Sequence, residues 1–277
     1  MQDAPLPLTK IAPGSRWFDL QLAELIEYRE LIAFLIWRDI KVRYKQTTLG
    51  VLWAWLQPLA TMVVFTVVFG RLARLPSEGV LYPVFALAGL LPWQLFASAF
   101  SGSANSLVGS GSLITKVYFP RIIVPIAAVL ATLVDFAVSF AVLIGMMAYY
   151  HLVPTANIVF LPLFMLLALA ASLAAGLWCS ALNVQYRDVQ YVLPFILQIW
   201  LLASPVAYSA TLVTSPLTRF FFNLNPMTGV IQGFRWSLFS SPSPGPYLAI
   251  SATIVAVFFV GGLLFFKRME NSFADVI

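Results

Sequence analysis

The sequence predicts an all-α polytopic membrane protein, on three observations. Hydrophobic residues make up 61% of the 277 and charged residues only 10%, with a mean hydropathy of +0.89, which is too apolar for a soluble domain. Six apolar runs are each long enough to cross a hydrocarbon core of ~30 Å, which takes roughly 20 helical residues. The basic residues fall unevenly on alternate connections, twelve on one side and four on the other, the bias that keeps Lys and Arg on cytoplasmic loops. Both termini are therefore expected in the cytoplasm. The net charge of +5 reflects that placement and does not indicate a nucleic-acid partner.

In chain order, residues 1–48 read as a cytoplasmic N-terminal segment, 49–266 as the six-span domain and 267–277 as a cytoplasmic tail. Residues 1–18 carry Pro5, Pro7 and Pro13 and no continuous apolar core, so no removable signal peptide is expected and the first span serves as the insertion signal. Asp19 to Trp37 sets Glu24, Glu27 and Glu30 on one helical stripe and Leu22, Leu25, Ile26, Ile32 and Leu35 elsewhere. That pattern predicts an amphipathic helix lying in the membrane interface. The spans follow at Leu49 to Leu72, Tyr82 to Gly102, Ile122 to Tyr150, Ile158 to Leu182, Tyr191 to Leu212 and Pro246 to Phe266. The third is long enough to tilt or to begin after Pro125.

Two connections stand out. The cytoplasmic stretch "NSLVGSGSLITKVYFPR", Asn105 to Arg121, mixes Leu113, Ile114, Tyr118 and Phe119 with Lys116 and Arg121. A short amphipathic element of this kind either docks in a groove of a soluble subunit or lies on the headgroups. On the opposite side, "NLNPMTGVIQGFRWSLF", Asn223 to Phe239, offers Asn225 as a helix cap and Pro226 in the first turn. The apolar stretch after them is too short to span, which predicts a re-entrant helix set against protein or a water-filled cavity.

The residue inventory argues against an enzyme. Cys179 is the single cysteine and His151 the single histidine, so an internal disulfide and a multi-cysteine zinc site are excluded. Asp135 is the one acid deep in a span, and no carboxylate cluster suits Mg²⁺ or general-base work. An acid in that position reads as a proton relay or channel contact, or as a helix-to-helix hydrogen bond. No G-x-x-x-x-G-K-[ST] occurs, and "GSGSLITK" lacks the Gly-Lys pair of a phosphate-cradling loop. Any ATP-driven work must come from a partner.

Five stretches then carry a resemblance: "RDIKVRYKQTTLGVLWAWLQPLATMVVFTVVFGRLARLPS" (Arg38 to Ser77), "AGLLPWQLFASAF" (Ala88 to Phe100), "LITKVYFPRIIVP" (Leu113 to Pro125), "ALNVQYRDVQYVLPFILQIW" (Ala181 to Trp200) and "NPMTGVIQGFRW" (Asn225 to Trp236). In this order they resemble the transmembrane subunit of polysaccharide-exporting ABC transporters of the ABC-2 permease type, most of all the O-antigen exporter permeases called Wzm. The likeness covers about Glu24 to Lys267. It implies a homodimer in the bacterial inner membrane, completed by two copies of a Wzt-like ATP-binding subunit that carries ATP and Mg, with no cofactor on this chain. It implies a substrate polysaccharide on undecaprenyl pyrophosphate. It puts Leu113, Ile114, Lys116, Tyr118, Phe119 and Arg121 in the region that couples to the ATPase, and Asn225, Pro226, Met227, Phe234, Arg235 and Trp236 in outer gate helices. Capsule and teichoic acid exporter permeases share the pattern. A proton-coupled secondary transporter is the other alternative, although it would call for inverted repeats and several midplane ionisable groups.

Such a substrate gives two further sets of residues a reading. On a helix Arg38, Lys41 and Lys45 share a face, with Arg43 on another, at the cytoplasmic headgroup level. They either receive the lipid pyrophosphate, Arg as a fork and Lys as a point charge, or satisfy the positive-inside rule and touch anionic lipid. Trp53, Trp55, Trp93, Phe96, Trp178, Trp200 and Tyr208, with Gln57, Gln94 and Gln198, offer flat rings and amides to a sliding sugar chain. Rings near span ends are equally ordinary interfacial anchors.

Overall fold

The computed structural model describes residues 26–45, 50–213, 215–239, 241–270 and 273, without the side chains of 50–54, 216, 246 and 247. Among these residues every regular element is helical. The first part of the expected interface helix, residues 19–25, lies outside them, as do the side chain of Trp53 and most of the tail. The first described helix, α1 (Arg29–Lys45), runs past the expected end at Trp37. It packs along α5, because Leu35 is fully buried in an apolar cluster with Leu107, Ile114, Phe119, Ile123 and Ala127.

Next come α2 (Gly50–Phe65), with Pro58 inside it, and a π-helical continuation, Thr66–Leu72. They are followed by α3 (Tyr82–Gly109), the four-residue α4 (Gly111–Ile114) and α5 (Ile123–Tyr149). A 3-10 turn, Ala156–Phe160, leads into α6 (Leu161–Gln185), then α7 (Val189–Leu202), α8 (Pro216–Leu224), α9 (Pro226–Leu238) and α10 (Pro246–Glu270). Proline opens α3, α6, α8 and α9 within their first two positions, where its missing N–H costs nothing.

α3 is the hub, packed on α5, α6 and α9. It meets α6 closely because Gly176 faces Ser103, whose Oγ lies 2.3 Å from where a Cβ would stand. Small residues of this kind let membrane helices approach where apolar burial offers no drive. Asn183 closes the crossing, its Nδ2 donating to the Ala104 carbonyl and to Asn105 Oδ1, both at 3.1 Å.

Among the described residues, five helical stretches are long and apolar enough to cross a membrane: Trp55–Leu72, Tyr82–Gly109, Ile123–Tyr149, Ala156–Gln185 and Leu248–Glu270. The fifth expected span, 191–212, is not one helix. α7 has 14 residues, about 21 Å at 1.5 Å per residue, and the chain then turns through 203–209. Pro205 is the local cause, since it disfavours helical backbone at Ser204 and cannot donate to the preceding turn.

Candidate functional site

The bundle has two chemically different ends. At the end that holds α1 and the close of α10, Arg121 ties the 110–122 connection to α10. Its backbone N–H donates to Glu270 Oε1 at 3.1 Å, and its guanidinium donates to the Glu270 carbonyl while standing 6.0 Å from the Phe273 ring centroid. Ile114 and Phe119 are buried anchors, whereas Lys116, Val117 and Tyr118 stand exposed, Tyr118 by 78%. The six residues expected to couple therefore divide: Ile114, Phe119 and Arg121 fix the loop, half-buried Leu113 packs beside them, and Lys116 and Tyr118 form its exposed crest.

The four cations expected to receive the lipid pyrophosphate, all on α1, also divide. Arg43 donates to Asp135 Oδ2 and Tyr44 to Asp135 Oδ1, so the carboxylate inside α5 is tied to α1 on both oxygens. Arg38 donates to Asp39 at 2.9 Å and to Ser110 Oγ at 3.3 Å. Lys41 and Lys45 are exposed. Tyr44 is pushed up from 10.0 to about 12, by burial first and then by its hydrogen bond to Asp135.

Of the expected sugar-facing residues, Trp93 and Phe96 are core, 5% and 0% exposed. With Phe100 and Trp200 they form a ring cluster joining α3 to α7, in which Phe96 and Trp200 lie 4.9 Å apart. Trp178 stacks on Phe265 at 4.7 Å and donates to the Phe258 carbonyl, joining α6 to α10. Trp55, Gln57 and Gln198 are exposed and Gln94 is half-buried. Tyr208 is half-buried beside Phe222 at 6.1 Å.

The other end is organised by Arg235, 1% exposed on α9. Its Nη1 donates to the carbonyls of Pro205 at 2.7 Å and Tyr208 at 3.4 Å. Its Nη2 donates to Val206 at 2.6 Å and Phe85 at 3.3 Å, and the guanidinium lies 3.6 Å from the Phe85 ring centroid. The carbonyls released where α7 unwinds are thus satisfied by one side chain, as buried backbone requires. Gly89 makes room: a Cβ there would stand 2.5 Å from Nη2. Asn225 caps α9 as expected, accepting from the Met227 N–H at 3.0 Å. It also accepts from Trp200 Nε1 at 2.9 Å and donates to Ser204 Oγ at 2.8 Å.

Below Arg235, Phe234 packs on Phe136 and Phe140 of α5. Phe140 is nine residues before Tyr149, so α9 reaches about 14 Å into the bundle along α5. Trp236 lies against Phe160 and Phe164, and Met227 is buried. His151 shapes the backbone here. At φ 54 it ends α5 in a left-handed cap, its N–H donating to Ala148 and that of Leu152 to Met147.

The resemblance puts Arg235 in an outer gate helix without its bonds, and nothing in the sequence singles out Gly89. The available signal is an arginine inside an apolar segment, which must find acceptors. No group of His, Cys, Asp and Glu among the described residues could hold a metal ion.

Residues 30–239 match the family described as ABC-2 type transporter. The chain is 30% identical over 259 residues to the O-antigen export system permease protein RfbA of Myxococcus xanthus, covering 92% of this chain and 98% of that protein. It is 24% identical to a protein of the same description from Klebsiella pneumoniae, over 90% and 95% of the two. Similarity to the polysialic acid transport protein KpsM of Escherichia coli is 28% over 165 residues, 59% of this chain and 64% of that protein.

Proposed function

The chain belongs to the ABC-2 type transporter family, and from that premise we propose that it moves a polysaccharide linked to undecaprenyl pyrophosphate, of the O-antigen class, out of the cytoplasm. It is a multi-pass permease subunit of a polysaccharide exporter of the O-antigen or capsule type. Family membership implies an ATP-binding partner subunit, which supplies hydrolysis. The observation that carries the O-antigen reading is similarity over nearly the whole of an O-antigen permease, against about two thirds of a capsule one.

In this reading the end with α1 and the 110–122 connection faces the cytoplasm. Lys116 and Tyr118 meet the ATP-binding subunit, and Ile114, Phe119 and Arg121 pass its movement to α5 and α10. Lys41 and Lys45, exposed on α1, receive the pyrophosphate with Arg38, while Arg43 holds Asp135. A doubly bonded Asp135 supports the helix tie over a proton relay. α8 and α9, with Asn225 to Trp236, close the outer side. The exposed apolar faces of α2 and α7, with Trp55, Phe195 and Ile199, suit a second copy of the chain, with Gln57 and Gln198 bordering the sugar path.

The test is purification from native membranes, identification of the soluble subunit that accompanies the chain, and reconstitution of the pair in vesicles. ATP-dependent transfer of undecaprenyl-linked glycan, lost in the Lys41→Ala/Lys45→Ala variant with assembly intact, is the expected result. Transfer without nucleotide would refute the reading.

A further inference from the structure

Between Glu78, α8 and α9 lies a cavity lined by both apolar and charged or amide side chains. Its volume is about 210 Å³, below the ~300–1,000 Å³ of sites for drug-sized ligands, so its occupant is one small ring or headgroup. Glu78 lines one side, Arg219, Phe222 and Asn223 of α8 another, and Gln232 and Arg235 of α9 the third. A guanidinium has five N–H donors. Four of Arg235's reach carbonyls, whereas its Nε–H is buried without an acceptor. That Nε–H has no accessible surface, so Arg235 meets the cavity as a fixed, positively charged wall, and the polar side chains offered to an occupant are those of Glu78, Arg219, Asn223 and Gln232.

The lining selects a class of ligand. Arg219 only donates, Glu78 only accepts, with the Ser209 hydroxyl already on its Oε1, and Asn223 and Gln232 do both. A hydroxyl also does both, so a ring carrying several of them can satisfy every member at once. A phosphate, which only accepts, would meet the Glu78 carboxylate. Phe222 adds an apolar ring face for the C–H side of a pyranose, and Tyr208 supports that ring at 6.1 Å.

We infer that this cavity is a saccharide subsite that binds one sugar unit of the polymer as it leaves the bundle. The inference rests on the export reading above and names a contact at the exit. A unit held there resists backward slippage between strokes of the partner.

The experiment uses the full chain in nanodiscs and the methyl glycosides of a hexose, a 6-deoxyhexose, an N-acetylhexosamine and a hexuronic acid, read by saturation-transfer NMR. At least one binds in the millimolar range, and Gln232→Leu and Asn223→Leu each weaken it about tenfold, the weight of one hydrogen bond. Arg219→Gln, at an exposed position, gives the same weakening and keeps the test open if the half-buried variants do not fold. Absence of binding to all four glycosides overturns the inference, as does binding that all three variants retain. Phospholipid that co-purifies with the wild type and is lost from Arg219→Gln, with no glycoside bound, assigns the cavity to a lipid headgroup and also overturns it. ATP-driven export is measured separately on the complex. Glycoside binding without export defeats the export reading alone, and export without glycoside binding defeats this inference alone.

Discussion

Replacing Arg235 with methionine should loosen the end of the bundle at which α7 unwinds. The two short bonds, to Val206 at 2.6 Å and Pro205 at 2.7 Å, are charge-assisted and contribute about 1.5–3 kcal/mol each. Those to Phe85 at 3.3 Å and Tyr208 at 3.4 Å are too long to add much. The guanidinium over the Phe85 ring contributes about 2 kcal/mol when desolvated. Methionine fills much of the volume and removes the cost of burying a charge, several kcal/mol, and the lost bonds register as two carbonyls left without donors. The balance is a loss of about 3–5 kcal/mol, the range seen when one side of a buried charged arrangement is removed. At roughly 2–4 °C per kcal/mol for a chain of this size, the melting temperature in detergent, followed by tryptophan fluorescence, falls on the order of 10 °C. Arg235→Lys falls between, because a single ammonium cannot span divergent carbonyls as a planar fork does. Gly89→Ala reproduces part of the loss by placing a Cβ 2.5 Å from Nη2. A methionine variant that melts with the wild type would refute the assignment of these carbonyls to Arg235.

Other consequences follow from the same contacts. The Tyr44 titration, read as the ultraviolet difference between wild type and Tyr44→Phe, has its midpoint near 12. In Asp135→Asn it moves down toward 10.0 but stays above it, because burial is the larger cause; an unmoved midpoint would mean the two side chains do not meet. Since the phenol is raised in the folded state, its share of stability is present below pH 10.0 and lost as pH rises through about 12. In the 110–122 connection, Phe119→Ala costs about 3–5 kcal/mol, as for buried aromatics, whereas Tyr118→Ala leaves melting within about 0.5 kcal/mol and weakens co-purification of the ATP-binding subunit. Gly233→Ala costs about 1–3 kcal/mol of overpacking, since its Cβ would stand 2.0 Å from the Phe164 ring, and Phe164→Leu in the same chain restores part of it; failure of that rescue would place the strain elsewhere.

What the sequence determines here is what hydropathy and nearest-turn chemistry encode. The spans read at Tyr82 to Gly102 and Ile122 to Tyr150, and the Asn225 cap with Pro226 after it, are legible because each depends on residues within one or two helical turns; the first of these spans runs on to Gly109, so the connection read from Asn105 begins only at Ser110. The length of the fifth span is not legible, since hydropathy stays high through 203–212 while Pro205 breaks the helix and the released carbonyls find Arg235 from 29 and 30 residues away. Arg43 reads as a free headgroup-level charge until the fold brings it to Asp135 across 92 residues. Trp93 reads as a ring offered to the sugar chain or as an interfacial anchor, and the fold lays Trp200 of α7 against it. In each case the side chain's type sets what it can bond, and the tertiary structure alone chooses the partner, because a buried donor or ring takes whichever distant acceptor or face the packing delivers.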